Sequence, residues 1–377
     1  MTKLLRGAQA GIAIGAMLVV AACSAPSNST TTSSSSGAKS AAAATSAADL
    51  GGMQALVDAA KQEGTLNVIA LPPDWANYGA IISGFKAKYP GITVNSANPN
   101  GSSQDEINAV NQQKGTDRAP DVLDVGMAVA LANTKLFAPY KVSSWSDLPD
   151  SQKESTGLWF QDYGGYMSIG YDSAKVPAIT AVADLLKPEY KNKVALNGDP
   201  TQANAALNGV MMAGLGSGGT ISDISKGVDF FKQLKKAGNF VPVQATTATV
   251  KNGTTPVVFD WDYLSAAHGK DVPTWKVFVP DNAVLGGYYA QAISAGAPHP
   301  AAARLWEEYL YSDEGQNLWL KGGARPVRMD AMTKSSTIDA TAAAALPKVS
   351  GTPQFLSPDQ ATAAKTYLAS NWAKAIG

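Results

Sequence analysis

One cysteine and two histidines are all the thiol and imidazole that 377 residues contain. A single thiol cannot build a disulfide framework, and a Cys- or His-rich metal site is poorly supplied. Charge of one sign is missing too: Lys plus Arg and Asp plus Glu balance at 30 each, so no basic field argues for nucleic acid. Nucleophilic catalysis needs Ser, Cys or Lys beside an oriented base. The chain carries no G-x-S-x-G elbow, no H-E-x-x-H, no P-loop and no G-x-G-x-x-G after a strand. The expectation is a protein with no catalysis of its own and no cofactor or metal. What is present is 45% hydrophobic residues, enough for real cores over a length that suits two domains.

The one cysteine stands in an informative place. Lys3 and Arg6 precede an apolar run from Ala8 to Ala22, built like a secretory signal and short for a membrane-spanning helix. It ends in Val20-Ala21-Ala22-Cys23, which resembles the bacterial lipobox, where the cysteine is lipidated and becomes the first mature residue. Residues 1–22 are therefore expected to be a lipoprotein signal peptide. Lipidated Cys23 would hold the protein outside the cytoplasm, on the periplasmic side of the cell membrane. Residues 23–50 are Ser, Thr and Ala with almost no large apolar side chain, which predicts a disordered tether and a folded body beginning near Gly51.

The body alternates helical and strand patterns. Residues 53–62 have helical spacing and 64–71 read as a short apolar strand. Tyr78, Ile81, Ile82, Phe85 and Tyr89 then share a helical face that Pro90-Gly91 ends, and strands follow at 92–94 and within 119–128. That β-α-β-α-β order predicts a parallel sheet covered by helices. Strand-like 164–172 and 194–196 follow, then helices over 201–216 and 227–238, the second with Val228, Phe231 and Leu234 inward. Three further strand-like stretches precede a helical pair from His299 onward.

Four stretches in this order carry a family resemblance: "FKAKYPGITV", "APDVLDVG", "LLKPEYKNKVAL" and "AAARLWEEYLYSDEGQ". Together with the lipobox and the Ser-rich tether, the chain resembles the extracellular solute-binding proteins of ABC importers, in the branch of iron, polyamine and aminophosphonate binders. The resemblance implies an α/β, two-lobed periplasmic-binding-protein type II fold with a hinge cleft. The first lobe would take 51–165, the second 166–284, and 285–377 would return to the first lobe and end in helices. It also implies a monomer that captures a small-molecule solute and delivers it to a membrane permease.

Ligands of open α/β sheets bind beyond the carboxyl ends of the strands, which nominates loops. These offer Asp74, Trp75, Asn77 and Tyr78; Asp124 and Met127; Tyr166; Asp199, Gln202 and Asn204; the run "FDWDY" with Asp260, Trp261, Asp262 and Tyr263; and Tyr288 with Tyr289. Asp199 and Asp262 also suit helix N-caps, Met127 suits packing, Arg325 and Arg328 suit surface ion pairs, and His268 and His299 read as solvated. A carboxylate beside an aromatic face attracts an ammonium, each cation–π contact contributing roughly 0.5–2 kcal/mol. Asp74/Trp75 and Asp260 to Tyr263 have that character, so a polyamine or other cationic amine is the expected solute. Strand alternation prevents all four "FDWDY" side chains from meeting one ligand, and Trp261 with Asp262 is the pair expected at the cleft. Ferric iron, an aminophosphonate or a sugar phosphate is the alternative cargo, and a sensory or structural lipoprotein the alternative role. Adjacent Tyr288 and Tyr289 point to opposite faces of a strand and would need a bend to share iron.

Overall fold

The computed structural model describes residues 40–347 and 349–377. The signal peptide and Cys23 lie outside them. Among the described residues eleven strands run in chain order: β1 Thr65–Ile69, β2 Thr93–Ala97, β3 Val122–Gly126, β4 Phe137–Ala138, β5 Phe160–Asp172, β6 Val194–Leu196, β7 Val257–Trp261, β8 Trp275–Phe278, β9 Leu285–Ser294, β10 Arg325–Pro326 and β11 Gln354–Phe355. β1 and β2 pair in parallel around the helix Tyr78–Lys88, whose Tyr78, Ile81 and Phe85 are buried while Ile82 and Tyr89 are partly so. The all-parallel sheet expected from the element order does not form. β3 and β4 run antiparallel to β9, and β5 runs antiparallel to β7, β8, β9 and β10. Among these strands β1–β2, β6–β7 and β9–β11 pair in parallel.

β5 makes the fold two-lobed. Its first half, through Tyr166, bonds to β9 and β10, and its second half, from Met167, bonds to β7 and β8. The change of partners falls beside Gly164-Gly165, which lie opposite Tyr288 and Gly287 of β9. One strand thereby belongs to the first lobe, built on β1–β4 and β9, and to the second, built on β6–β8. Aromatic packing fills each: Phe85 meets Trp306 and Tyr309 in the first, and Phe231 meets Phe240 and Phe259 in the second. The last helix, Pro358–Ile376, sets Trp372 against Phe231 and Phe240.

The body begins earlier than its composition suggests. Residues 41–43 and 47–50 form short 3-10 turns, with Ala44 fully buried. Buried Arg304 on the helix Pro300–Leu310 donates to the carbonyls of Ala42 and Ala44 at 3.0 and 2.8 Å. Small alanines cannot make a core but can lie flat against one, and a guanidinium satisfies the carbonyls they bury.

Candidate functional site

Between the lobes opens a cleft of about 910 Å³. The loop after β1 (70–77), the start of the helix Ser103–Gln112, Asp124 of β3 and Tyr289 of β9 line it from the first lobe. From the second come the loop after β6 (197–203), the start of the helix Asn204–Gly216, Gln244 to Ala248, Asp260 of β7 and His268. These are strand ends and helix starts, where open α/β sheets gather ligands. Ala70, Ala76 and Asn77 hold left-handed φ of 56°, 45° and 66°, so the loop after β1 keeps a shape its residues disfavour, as binding loops often do. The lobes approach closely where β3 ends: a Cβ on Gly126 would fall 2.3 Å from the Cβ of Asn204.

Two buried acids face this cleft, one from each lobe. Asp124 is 7% exposed; its Oδ2 accepts from the hydroxyls of Tyr78 at 2.8 Å and Tyr163 at 3.0 Å, while its buried Oδ1 has no partner. Asp260 is 3% exposed; Asn197 donates to its Oδ2 at 2.8 Å and the Trp261 amide to its Oδ1 at 2.8 Å. Loss of hydration pushes each carboxyl up to about 7, against the pull of those donors. Glu106 lies behind Asp124, accepting its amide at 2.9 Å, and burial raises its pKa well above normal. Seven carboxylates (Asp74, Asp105, Glu106, Asp124, Asp199, Asp260, Asp271) line the cleft against two lysines, Lys270 and Lys321. Several of the exposed ones already have local partners: Asp74 takes the Thr247 hydroxyl across the cleft mouth at 2.5 Å, Asp199 holds Thr201, and Asp271 pairs with Lys251. Among the buried acids, Asp124 and Asp260 stand on opposite walls, where a ligand between the lobes would meet both.

The residues nominated from sequence separate into two groups. Asp74, Trp75, Asp199, Gln202 and Asp260 line the cleft, as do Asn77, Asn204, Asp124 and Tyr289. Trp75 is half-buried, donates to the Tyr163 hydroxyl at 2.7 Å and meets Tyr289 edge-on at 5.7 Å. Tyr78 stands behind the wall, holding Asp124. Tyr166 lies off the cleft with the Arg325 guanidinium 4.6 Å from its ring centre, and Tyr288 faces Phe355 at 6.5 Å.

The pair expected at the cleft, Trp261 with Asp262, is not there. Trp261 is fully buried, its ring over Gly287, where a Cβ would come within 2.5 Å. Asp262 opens the helix Asp262–Ala267 rather than capping it, and its carboxylate pairs with Arg325 at 2.8 Å while accepting the amides of Tyr166 and Tyr263. Tyr263 is buried as well. β7 ends at Trp261, so alternation stops before Asp262 and Asp260 alone meets the cleft. Asp199 caps no helix, since the next one starts at Asn204; its side chain closes a turn onto Thr201. The histidines are engaged rather than solvated: His268 packs edge-on against Trp275 at 5.3 Å, and His299 pairs with buried Asp121 at 2.9 Å. Arg325 and Arg328 do form ion pairs, Arg325 with fully buried Asp262 and the buried guanidinium of Arg328 with the part-exposed Asp147 and Asp313. Among the described residues no group of three or more His, Cys, Asp or Glu is arranged to hold a metal.

A family model for bacterial extracellular solute-binding proteins matches residues 119–349, more than half of the chain. The chain belongs to that family. Solved structures share its fold. The periplasmic binding protein P5PA aligns with TM-score 0.65 at 18% identity, over 83% of this chain and 100% of its own. Iron-bound HitA from Pseudomonas aeruginosa gives 0.60 at 18%, over 83% and 99%. AfuA from Actinobacillus pleuropneumoniae, with fructose-6-phosphate bound, gives 0.64 at 15%, over 83% and 98%. The solute-binding protein is thus the extracytoplasmic component of an ABC importer, working with a small-molecule solute and a membrane permease. Its cargo has to be argued from its own cleft.

Proposed function

We propose that this solute-binding protein captures a cationic amine, with a diamine or polyamine the best-matched class, and presents it to its permease. The observation that carries the reading is the unpartnered, buried Oδ1 of Asp124 at a cleft whose other wall bears Asp260. An acceptor with no donor, removed from water, costs free energy until a ligand supplies one. An ammonium supplies the donor and the compensating charge together. Trp75 and Tyr289 add aromatic surface for the chain between the ammonium groups. A phosphate or sugar phosphate would enter against the cleft's acidic majority. Open protein engages the solute with one lobe and closure adds the other, so the solute favours the closed form by what it gains from the second carboxylate. A lipidated Cys23, a monomeric body and the absence of catalysis complete the reading. Changing Cys23 to Ser should move the protein from the membrane to the soluble fraction.

A thermal-shift panel tests the cargo: putrescine, spermidine, an aminophosphonate, fructose-6-phosphate and ferric ion. A bound ligand at a hundred times its Kd stabilises the fold by about 2.7 kcal/mol. Stabilisation by the amines alone is the expected result. A response confined to iron or to the phosphates would overturn the reading, and silence toward every compound would favour a sensory or structural role.

A further inference from the structure

A polar chain runs from the cleft wall into the core of the first lobe. Gln291 sits directly across the β3–β9 ladder from Asp124, on the same sheet face. Its side-chain amide donates to the Tyr78 oxygen at 3.0 Å and to the Asp162 carboxylate at 2.8 Å. Trp75 likewise donates its indole N–H to the Tyr163 oxygen. Each phenol oxygen therefore already accepts an N–H, and the one proton each still has goes to the same atom, Asp124 Oδ2. A proton on Oδ2 would oppose two fixed O–H donors. Any proton that Asp124 carries belongs on Oδ1, the buried and unpartnered oxygen of this cleft-lining residue.

The groups facing Asp124 supply no positive charge. They are Tyr78, Glu106 of the helix Ser103–Gln112, Asp162 and Tyr163 of β5, Tyr289 of β9, and Glu307 of the helix Pro300–Leu310, with Tyr263 and Tyr311 further out. Burial raises the pKa of Asp162 and Glu307 as it does that of Asp124, so each carboxyl of this cluster holds its proton more tightly than an ordinary one.

We propose that Gln291 is a positioning residue: it fixes Tyr78 as a donor to Asp124 Oδ2, so that Asp124 keeps its proton on the unpartnered Oδ1 and exchanges it there for the ammonium of the solute. The inference rests on the cationic reading of the cleft. The step balances: an alkylammonium enters, the Oδ1–H bond breaks, the proton leaves to solvent, and the charge of the site is unchanged. Exchange of one positive charge for another spares the protein an uncompensated buried carboxylate in either state.

Calorimetry on the full chain tests this, with putrescine titrated at each pH in two buffers of different ionisation enthalpy. Near pH 6 the wild type should release protons on binding, and release from Asp124 and Asp260 should fade by about pH 8.5, above the range where those two carboxyls titrate. Asp124→Asn should release about one proton fewer near pH 6. Gln291→Met frees the Tyr78 hydroxyl to turn away, so the pH at which affinity reaches its plateau should move upward. A purely structural loss would weaken binding equally at every pH. Putrescine binding without proton release, or an Asp124→Asn variant with undiminished release, overturns the exchange and leaves the cationic cleft standing. Failure of putrescine and spermidine to bind at any pH removes both. If Gln291→Met does not fold, Asp124→Asn still decides the exchange, and Tyr78→Phe, which removes the donor Gln291 holds in place, decides the positioning: its plateau should move upward, and an unmoved plateau overturns the relay.

Discussion

An Asp260→Asn variant should hold its empty fold more firmly than the wild type above pH 7, yet bind solute more weakly. Asp260 lies at the inner end of β7, 3% exposed, with its carboxyl pushed from 3.8 to about 7 mainly by lost hydration. That displacement corresponds to roughly 4 kcal/mol of cost once the folded protein carries the charge. The sign follows from proton affinity. Folded Asp260 holds its proton more tightly than the unfolded chain does, so its contribution to wild-type stability is fully present below about pH 4 and is lost as pH rises through 7. Asparagine does not titrate and escapes that loss. It still accepts the Trp261 amide, but its own NH₂ meets the Asn197 donor, an offset of about 1 kcal/mol unless Asn197 turns. The net gain should be roughly 2–3 kcal/mol at pH 8 and near zero or slightly negative at pH 4, read by urea denaturation of ligand-free protein. Putrescine affinity at pH 8 should drop by about 10- to 100-fold, the worth of one charge-assisted hydrogen bond. A variant less stable than wild type at pH 8, or a stability gap equal at the two pH values, would refute the buried-charge argument. Unchanged affinity would remove Asp260 from the site.

Three further outcomes follow from contacts around the cleft. Arg325→Met leaves Asp262 buried and unpaired, so stability should fall by about 3–5 kcal/mol, and the double variant with Asp262→Leu should recover most of it in urea melts. Gly287→Ala drives a methyl against the Trp261 ring and should cost about 1–3 kcal/mol of thermal stability. Arg304→Met withdraws the donors that hold Ala42 and Ala44, so limited proteolysis should cut residues 40–47 faster while putrescine affinity stays unchanged.

The helices and strands were legible because their apolar spacing is regular: Tyr78 to Phe85 and Val228 to Leu234 bury the faces their periodicity marks. Lobe topology was less so. Strand direction depends on which distant segment pairs with which, and β9, from the far end of the chain, slots antiparallel against β3. The tether boundary was misplaced because composition does not reveal that Arg304 waits for two alanine carbonyls. In "FDWDY", alternation separates Asp260 from Trp261, but the helix starting at Asp262 and the space over Gly287 decide which member meets the cleft. Asp124 was nominated only as one loop residue among many. Its weight comes from Tyr78, Tyr163 and Gln291, three residues from three separate elements that no local motif connects.

The most direct measurement is a crystal structure of the putrescine complex. The account predicts a closed cleft with one ammonium nitrogen within hydrogen-bond distance of Asp124 Oδ1 and the other end of the chain directed to Asp260. A ligand seated with no nitrogen at Asp124, or a cleft that stays empty at saturating putrescine, would contradict it.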